Sequence, residues 1–484
     1  MSTANEKIGL REKIGYGLGD AASSMFWKIF GMYSLFYYTD VLGISAAAAG
    51  TMFLVARVWD SFFDLFVGIM ADRTKTRWGK YRPYILWFAI PLMVMGIFTF
   101  YAPDFSESGK LIYAYLTYSL IMIVYSLLNV PYASLLAVIS PDPKVRNELS
   151  SYRMGFAFIG SFVTFMLLQP LIDFFAGAFD KDNAALQQAA GSAAQATVST
   201  SPVGWVLGVA TIGLLCCVLF FLCFSWTRER VKQIKEDEKS SVKQDLNDLL
   251  HNSPWWILVA TGLMALLFNA IRDGVAIYYF RDYVQYSYKM AVTGWDITTV
   301  YFLVGQAANL IGVMLAPSVS ARYGKKRTYM IAMVMAGVLS TFFYFIPNQI
   351  GWILGMQFLI SICAGYVLPL LWSMFADIVD YQELKNGRRA SGLIFSSSSM
   401  SQKLGWAMGA SLTGWLLFWF GYNEEAAKTG MEQVANTLFG ERLMISLLPA
   451  ASCLLAVVGM FFYPLSEKRV LEISRELELK RKQA

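Results

Sequence analysis

Asp60 and Asp64 stand four residues apart in ARVWDSFFDLFVGIMADR (56–73), a stretch otherwise rich in Val, Trp, Phe, Leu and Ile. Four residues is about one helical turn, so both carboxylates leave the same face of a helix. Like charges on one apolar face repel each other and lose hydration. A mobile cation removes that cost. Na⁺ is a hard ion that takes oxygen ligands, as other hard cations do; a proton can do the same work by occupying one member of a coupled pair. Arg57, one turn before Asp60, can neutralise one carboxylate but leaves the second, which favours ligand duty over a purely structural Arg–Asp–Asp brace. Further oxygen donors come from YSLLNVPYASLL (125–136): Ser126, Asn129, and the carbonyl one turn before Pro131 that the ring leaves without its amide partner.

Asp20, Lys28, Arg153, Asn269, Arg272, Asp273, Gln306, Asn309 and Lys403 also lie inside apolar segments. A charge at bilayer depth costs at least about 2.5–3.5 kcal/mol on insertion scales, so each ionisable one is a candidate functional group. Tyr33, Tyr37, Tyr38, Tyr118, Tyr125, Tyr132, Tyr278, Tyr279 and Trp372 combine flat apolar faces with hydrogen-bonding tips. Sugar rings, apolar on the C–H faces and polar at the edges, suit such a lining. Tyr125 and Tyr132, beside Asn129, are the cavity candidates, whereas Tyr37 and Tyr38, near a span end, belong with an interfacial aromatic belt. Asp72, Asp377 and Asp380 fall at predicted cytoplasmic helix ends near Arg73, Arg146 and Arg322. Cross-bundle ion pairs there would close an inward path; solvated loop charges are the alternative reading.

The elements that must position these groups are membrane helices. The 484 residues are 56% hydrophobic and 15% charged, against roughly 25% charged in a soluble domain. The spacing predicts twelve spans: 14–42, 47–71, 83–102, 111–139, 151–177, 203–226, 254–281, 296–318, 327–346, 351–379, 391–420 and 440–464. The charged run TRERVKQIKEDEKSSVKQDLNDLLHNSP separates two six-helix halves, giving bundles over 1–226 and 254–464, a central loop over 227–253 and a tail over 465–484. Lys and Arg concentrate in RTKTRWGKYR, DPKVR, RYGKKR and KNGRR and in the central run, so both termini are expected to be cytoplasmic. The shared order of RWGKYR (77–82) and RYGKKR (322–327), at equivalent places of the two halves, marks an internal repeat. Transporters built from related halves hold substrate between them near mid-membrane.

No cleavable signal peptide is visible at the start. Cys216, Cys217, Cys223, Cys363 and Cys453 fall in apolar segments with neither metal-ligand spacing nor a secreted disulfide pattern. With His251 the single histidine, a membrane-embedded enzyme has no nucleophile–base or metal constellation to use. The net charge of +6 follows from loop asymmetry and does not describe a nucleic-acid surface.

IGYGLGD (14–20), YYTDVLGIS (37–45), LVARVWDSFFDLFVGIMADRTKTRWGKYRPY (54–84), NVPYASL (129–135), YRMGFA (152–157), ADIVDY (376–381) and SQKLG (401–405) occur in this order. On these motifs the chain resembles the glycoside–pentoside–hexuronide:cation symporters of the major facilitator superfamily, the group that includes the melibiose permease. The resemblance covers nearly the whole chain. It implies an all-α polytopic fold of twelve helices in two pseudo-symmetric bundles, alternating access, and sugar uptake driven by Na⁺, Li⁺ or H⁺. It places the cation at Asp60 and Asp64 with Ser126, and aligns Arg153 and Lys403 with residues near the sugar and cation sites. Two departures stand out: the permease has aspartate where this chain has Asn129, and its sugar-binding aspartate aligns with Ser24, with Asp20 one turn earlier.

The expected function is therefore cation-coupled sugar or glycoside uptake. The alternatives are a major facilitator carrier for a lipid or drug, a non-transporting sugar sensor on the same fold, and direct exchange of one glycoside for another. The expected cation ligands are Asp60, Asp64, Ser126 and Asn129. The expected sugar contacts are Asp20, Ser24, Tyr125, Asn129, Tyr132, Arg153, Trp372 and Lys403. The expected gate residues are Arg57, Asp72, Arg146, Arg322, Asp377 and Asp380. No cofactor is expected beyond the coupling ion, and no nucleic acid. The expected setting is a bacterial cytoplasmic (inner) membrane, where a monomer suffices.

Overall fold

Apolar runs with Ser or Pro at their starts give helices whose caps follow from the sequence. Ser45, Ser106 and Ser201 each accept from the backbone amide three residues on, at 3.2–3.3 Å, opening the helices that begin at Ala46, Glu107 and Pro202. The computed structural model describes residues 8–140, 143–180, 199–230, 247, 249–285, 295–386, 391–429 and 431–483. The helices in chain order are α1 (10–42), α2 (Ala46–Arg73), α3 (Arg82–Thr99), α4 (Glu107–Ile139), α5 (Pro143–Phe179) and α6 (Pro202–Trp226). Then come α7 (Ser253–Val284), α8 (Ile297–Tyr323), α9 (Lys325–Phe343), α10 (Ile350–Asn386), α11 (Ser391–Trp419) and α12 (Ala435–Phe461), with a final helix α13 (Glu467–Gln483). These match the twelve predicted spans one for one, with ends that differ by up to eight residues, most at the start of α5 and the end of α10. Most of the predicted central loop lies outside the described residues.

Among the described residues, eight helices are long and apolar enough to cross a bilayer by length and composition. The long helices that fall short carry ionisable groups: Asp20 and Lys28 on α1; Arg57, Asp60 and Asp64 on α2; Lys325, Lys326 and Arg327 on α9; Lys403 on α11. Helices α1 and α7 are not α-helical throughout. Residues Ile29–Tyr33 and Tyr37–Leu42 of α1 and Tyr279–Val284 of α7 take the wider π form, a rare geometry that recurs at functional sites.

The chain divides into two compact units. The first comprises Met1–Lys235, Ile277–Leu303 and Gly414–Leu438; the second comprises Glu236–Ala276, Val304–Thr413 and Phe439–Ala484. The core of the first unit is aromatic. Phe100 and Trp205 stack with centroids 5.6 Å apart, and Tyr33, Tyr37 and Phe36 close around Trp205. Tyr37 and Tyr38 are fully buried here, so they are core and not the interfacial belt the sequence suggested. Their place near a span end misleads because Phe100 and Trp205 pack on Tyr37, and Phe53 and Tyr118 on Tyr38.

Each half carries the same basic hairpin, and each is pinned by a distant glutamate. Gly79 (φ +114°) and Gly324 (φ +85°) make left-handed turns that favour glycine. Glu229 accepts from the backbone amides of Lys80, Tyr81 and Arg82 at 2.8–2.9 Å, satisfying the free donors at the start of α3. In the second unit Glu467 accepts from Lys325 at the start of α9, at 3.2 Å.

Candidate functional site

The carboxylate pair sits on α2, in the first unit. Ser126 Oγ, from α4, donates to Asp60 Oδ1 at 2.6 Å, and both residues are 1% exposed. On the other side Arg57 Nη1 lies 3.7 Å from Asp60 Oδ2, beyond a normal hydrogen bond, and makes no hydrogen bond among the described atoms. The Arg57 guanidinium rests instead over the Trp27 ring of α1, 4.3 Å from its centroid. Asp64 is half-buried one turn further along α2. Asn129 accepts a long bond from Ser23 Oγ at 3.4 Å, so it reaches toward α1. The arrangement sets a buried carboxylate beside a close hydroxyl and a guanidinium that lies over an indole ring. Such a carboxylate can take on a small cation, or a proton, while keeping its serine.

The same unit builds a polar wall from α1, α4 and α5. Arg153 Nη2 pairs with Asp20 Oδ1 at 3.1 Å, and Nη1 donates to the Tyr16 hydroxyl at 3.4 Å. The guanidinium also lies 5.2 Å from the Tyr132 ring centroid. Tyr132 is fully buried, and its hydroxyl donates to the Tyr16 carbonyl at 2.7 Å, which commits that tip to helix packing. Gly19 makes this contact possible, since a Cβ there would lie 2.9 Å from Tyr132 Cζ. Tyr125 stacks on Phe26 at 4.7 Å. Ser24 is half-buried on α1. The predicted residues Asp60, Asp64, Ser126, Asn129, Arg57, Asp20, Ser24, Tyr125, Tyr132 and Arg153 thus fall in one unit.

Trp372 and Lys403 belong to the second unit, where Trp372 is 37% exposed and Lys403 half-buried. Arg272 of that unit spends its charge on packing: it donates to Gln357 Oε1 (2.7 Å), the Ile445 carbonyl (3.1 Å) and Ser340 Oγ (3.2 Å). Asp377 is held by Lys325 Nζ at 2.7 and 2.8 Å, a partner from the same basic hairpin as Arg322, which is exposed against Tyr323. Asp380 is half-buried on α10, and Arg146 is half-buried near the start of α5. Asp72 lies in the last turn of α2, its side chain outside the described residues.

Sequence reasoning missed several paired charges in the first unit. Glu12 takes a two-point bond from Arg230, at 2.7 and 2.8 Å. Asp40, Arg281, Asp282 and Tyr422 form a buried cluster. The available signal was the echo of YYTDVLG (37–43) in YFRDYVQ (279–285) at the ends of the first helix of each half.

The family described as MFS/sugar transport protein matches residues 15–467. An isoprimeverose transporter of Lactiplantibacillus pentosus is 33% identical over 460 residues, 93% of this chain and 88% of that one. The inner membrane symporter YicJ of Escherichia coli (strain K12) is 32% identical over 478 residues, 98% of this chain and 96% of that one. Among solved structures, a bacterial homolog of the human lysosomal transporter Spinster superposes with a TM-score of 0.64 at 14% identity, covering 96% of this chain and 97% of that one. Together with the family match, that likeness gives the major facilitator fold. The protein is a multi-pass membrane transporter, not an enzyme. It belongs to the MFS/sugar transport family, the group of glycoside–pentoside–hexuronide-type symporters.

Proposed function

We propose that the chain takes up a sugar or glycoside in symport with Na⁺, Li⁺ or H⁺, by alternating access, in the bacterial inner membrane with both termini cytoplasmic. The observation that carries the reading is the contact of Ser126 with Asp60, which puts the carboxylate of α2 and the hydroxyl of α4 at one buried point. Asp60 and Asp64 supply the charge that the coupling ion neutralises, with Ser126 and Asn129 as neutral oxygen donors. Arg57 sets how much of that charge is already compensated. The Asp20–Arg153 pair, with Tyr16 and Ser24 on the same helix as Asp20, presents hydrogen-bonding edges to sugar hydroxyls. Occupation of the ion site fixes α2 against α4, next to the face of α4 that carries Asn129 and Tyr132, which is the physical route by which ion binding favours sugar binding.

The single acidic residue on the sugar wall, already paired with Arg153, points to a neutral or weakly acidic glycoside more than to a cationic solute. Right-side-out vesicles given a panel of labelled mono- and disaccharides, with and without a Na⁺ gradient at fixed pH, test the reading. Accumulation of at least one sugar that follows the Na⁺ or H⁺ gradient is expected. Uptake of every sugar that is indifferent to both gradients would contradict it.

A further inference from the structure

The first helices of the two halves end alike. Residues Tyr37–Leu42 of α1 and Tyr279–Val284 of α7 are both π-helical, and both stop at a left-handed residue: Gly43 (φ +82°) and Gln285 (φ +48°). The amide of each stop residue donates five residues back, Gly43 to Tyr38 and Gln285 to Phe280, at 3.0 and 3.1 Å. Gln285 is the one non-glycine residue with positive φ among those described. Counting back three places from each stop gives Asp40 and Asp282, so the internal repeat sets two carboxylates at matching positions.

One guanidinium joins them. Arg281 takes Asp282 in a two-point pair (Nε to Oδ1 at 2.6 Å, Nη2 to Oδ2 at 2.8 Å) and bonds Asp40 Oδ1 through Nη1. Its Nη2 also donates to the Tyr422 hydroxyl at 2.6 Å, which in turn donates to Asp40 Oδ1 at 2.6 Å. Thr39 Oγ1 donates to Asp40 Oδ2 at 2.5 Å and meets the Tyr278 hydroxyl at 2.8 Å. The Asp40 side chain is fully enclosed. Elsewhere in the same unit, segments distant in sequence also meet: Ala46 N donates to Glu424 at 2.9 Å, Trp415 Nε1 to Thr51 at 3.1 Å, and Trp295 Nε1 to the Met166 carbonyl at 3.0 Å.

We infer that Arg281, held between Asp40 and Asp282, is the outer clasp of the transport path. The cluster lies at the helix ends opposite the basic hairpins, where a solute would enter. Entry there requires the ends of α1 and α7 to part. Arg281 then keeps Asp282, its neighbour on the same turn, and releases Asp40 and the chain segment that bears it. A buried ion cluster suits a switch better than an apolar plug: complete, it is strongly held, and with one partner removed it leaves a charge in low dielectric. The clasp is therefore closed or fully broken, with little in between.

This inference rests on the transport reading, but its test needs neither sugar nor coupling ion, so the two can fail separately. A cysteine placed at Ser24 reports access from outside when right-side-out vesicles are treated with a membrane-impermeant maleimide. The chain without that reporter, treated in parallel, subtracts labelling of the five native cysteines. Asp40→Asn raises the labelling rate about 10-fold, and Arg281→Gln raises it further, because Asp40 and Asp282 then repel. The exchange Asp40→Arg with Arg281→Asp, which restores one guanidinium between two carboxylates, returns the rate toward that of the parent. Tyr422→Phe keeps every charge, removes two hydrogen bonds and gives about a 5-fold rise; it decides the matter if the charge variants fail to insert. Labelling within twofold of the parent in Tyr422→Phe, or in both inserted charge variants, overturns the inference.

Discussion

Replacing Ser126 with alanine removes one hydroxyl from a site whose two partners are each 1% exposed. The lost bond is short, 2.6 Å, and its acceptor is a carboxylate. A hydrogen bond to a charged group contributes about 1.5–3 kcal/mol, so the free-energy change corresponds to about 10- to 100-fold in an equilibrium constant. Arg57 does not fill the gap in place, because its Nη1 stands 3.7 Å from the other carboxylate oxygen. If the hydroxyl serves the ion, the half-saturating cation concentration for uptake rises about 10- to 100-fold, while uptake at saturating cation stays near the parent value. Ser126→Thr, which restores an oxygen, recovers most of the affinity. The assay is initial sugar uptake across a cation titration, on vesicles matched for inserted protein. An unchanged cation dependence would show that the hydroxyl only joins α2 to α4. A tighter dependence would show that it competes with the ion for Asp60. Either result refutes the reasoning.

Other consequences follow from the same contacts. Arg153→Gln raises the sugar KM more than Asp20→Asn does, because it also loses the Tyr16 hydroxyl and the Tyr132 ring, and cation dependence is unchanged in both; uptake kinetics at saturating cation check this. Glu229→Gln lowers the thermal midpoint of the detergent-solubilised protein more than Glu467→Gln, since Glu229 accepts from three backbone amides and Glu467 from one among the described residues; a fluorescence melt reads the order. The loss at Glu229 is about 1–3 kcal/mol, the cost of weakening a charge-assisted cap.

The parts of this transporter that are written locally were legible in the sequence. The i, i+4 spacing of Asp60 and Asp64 in an apolar run marks a candidate site, and the shared order of the basic hairpins marks the repeat seen at Gly79 and Gly324. Ser126 was legible through its place one turn before the proline-bearing part of α4. What stayed hidden depends on partners far apart in the chain. Glu229 caps α3 from almost 150 residues away, and nothing near Gly79 indicates it. Asp40 and Arg281 are 241 residues apart, and each alone looks like an ordinary charge at a span end. Tyr37 and Tyr38 were misread for a related reason. A span end is normally wet, but here Phe53, Phe100, Tyr118 and Trp205 pack around the two rings. Tyr132 shows the converse: it stands beside Asn129 as a cavity residue would, yet Gly19 lets its ring close against α1 and its hydroxyl is already bonded.

The account's central claim is that the α2 carboxylates convert an ion gradient into sugar accumulation. The most direct measurement compares the parent with Asp60→Asn and Asp64→Asn, at equal inserted protein, for the steady-state ratio of labelled sugar inside to outside under an imposed Na⁺ gradient, and again under a proton gradient. The account predicts ratios above one for the parent with at least one ion, and ratios that do not exceed one for both variants with either ion. Accumulation at the parent level in both variants would contradict it.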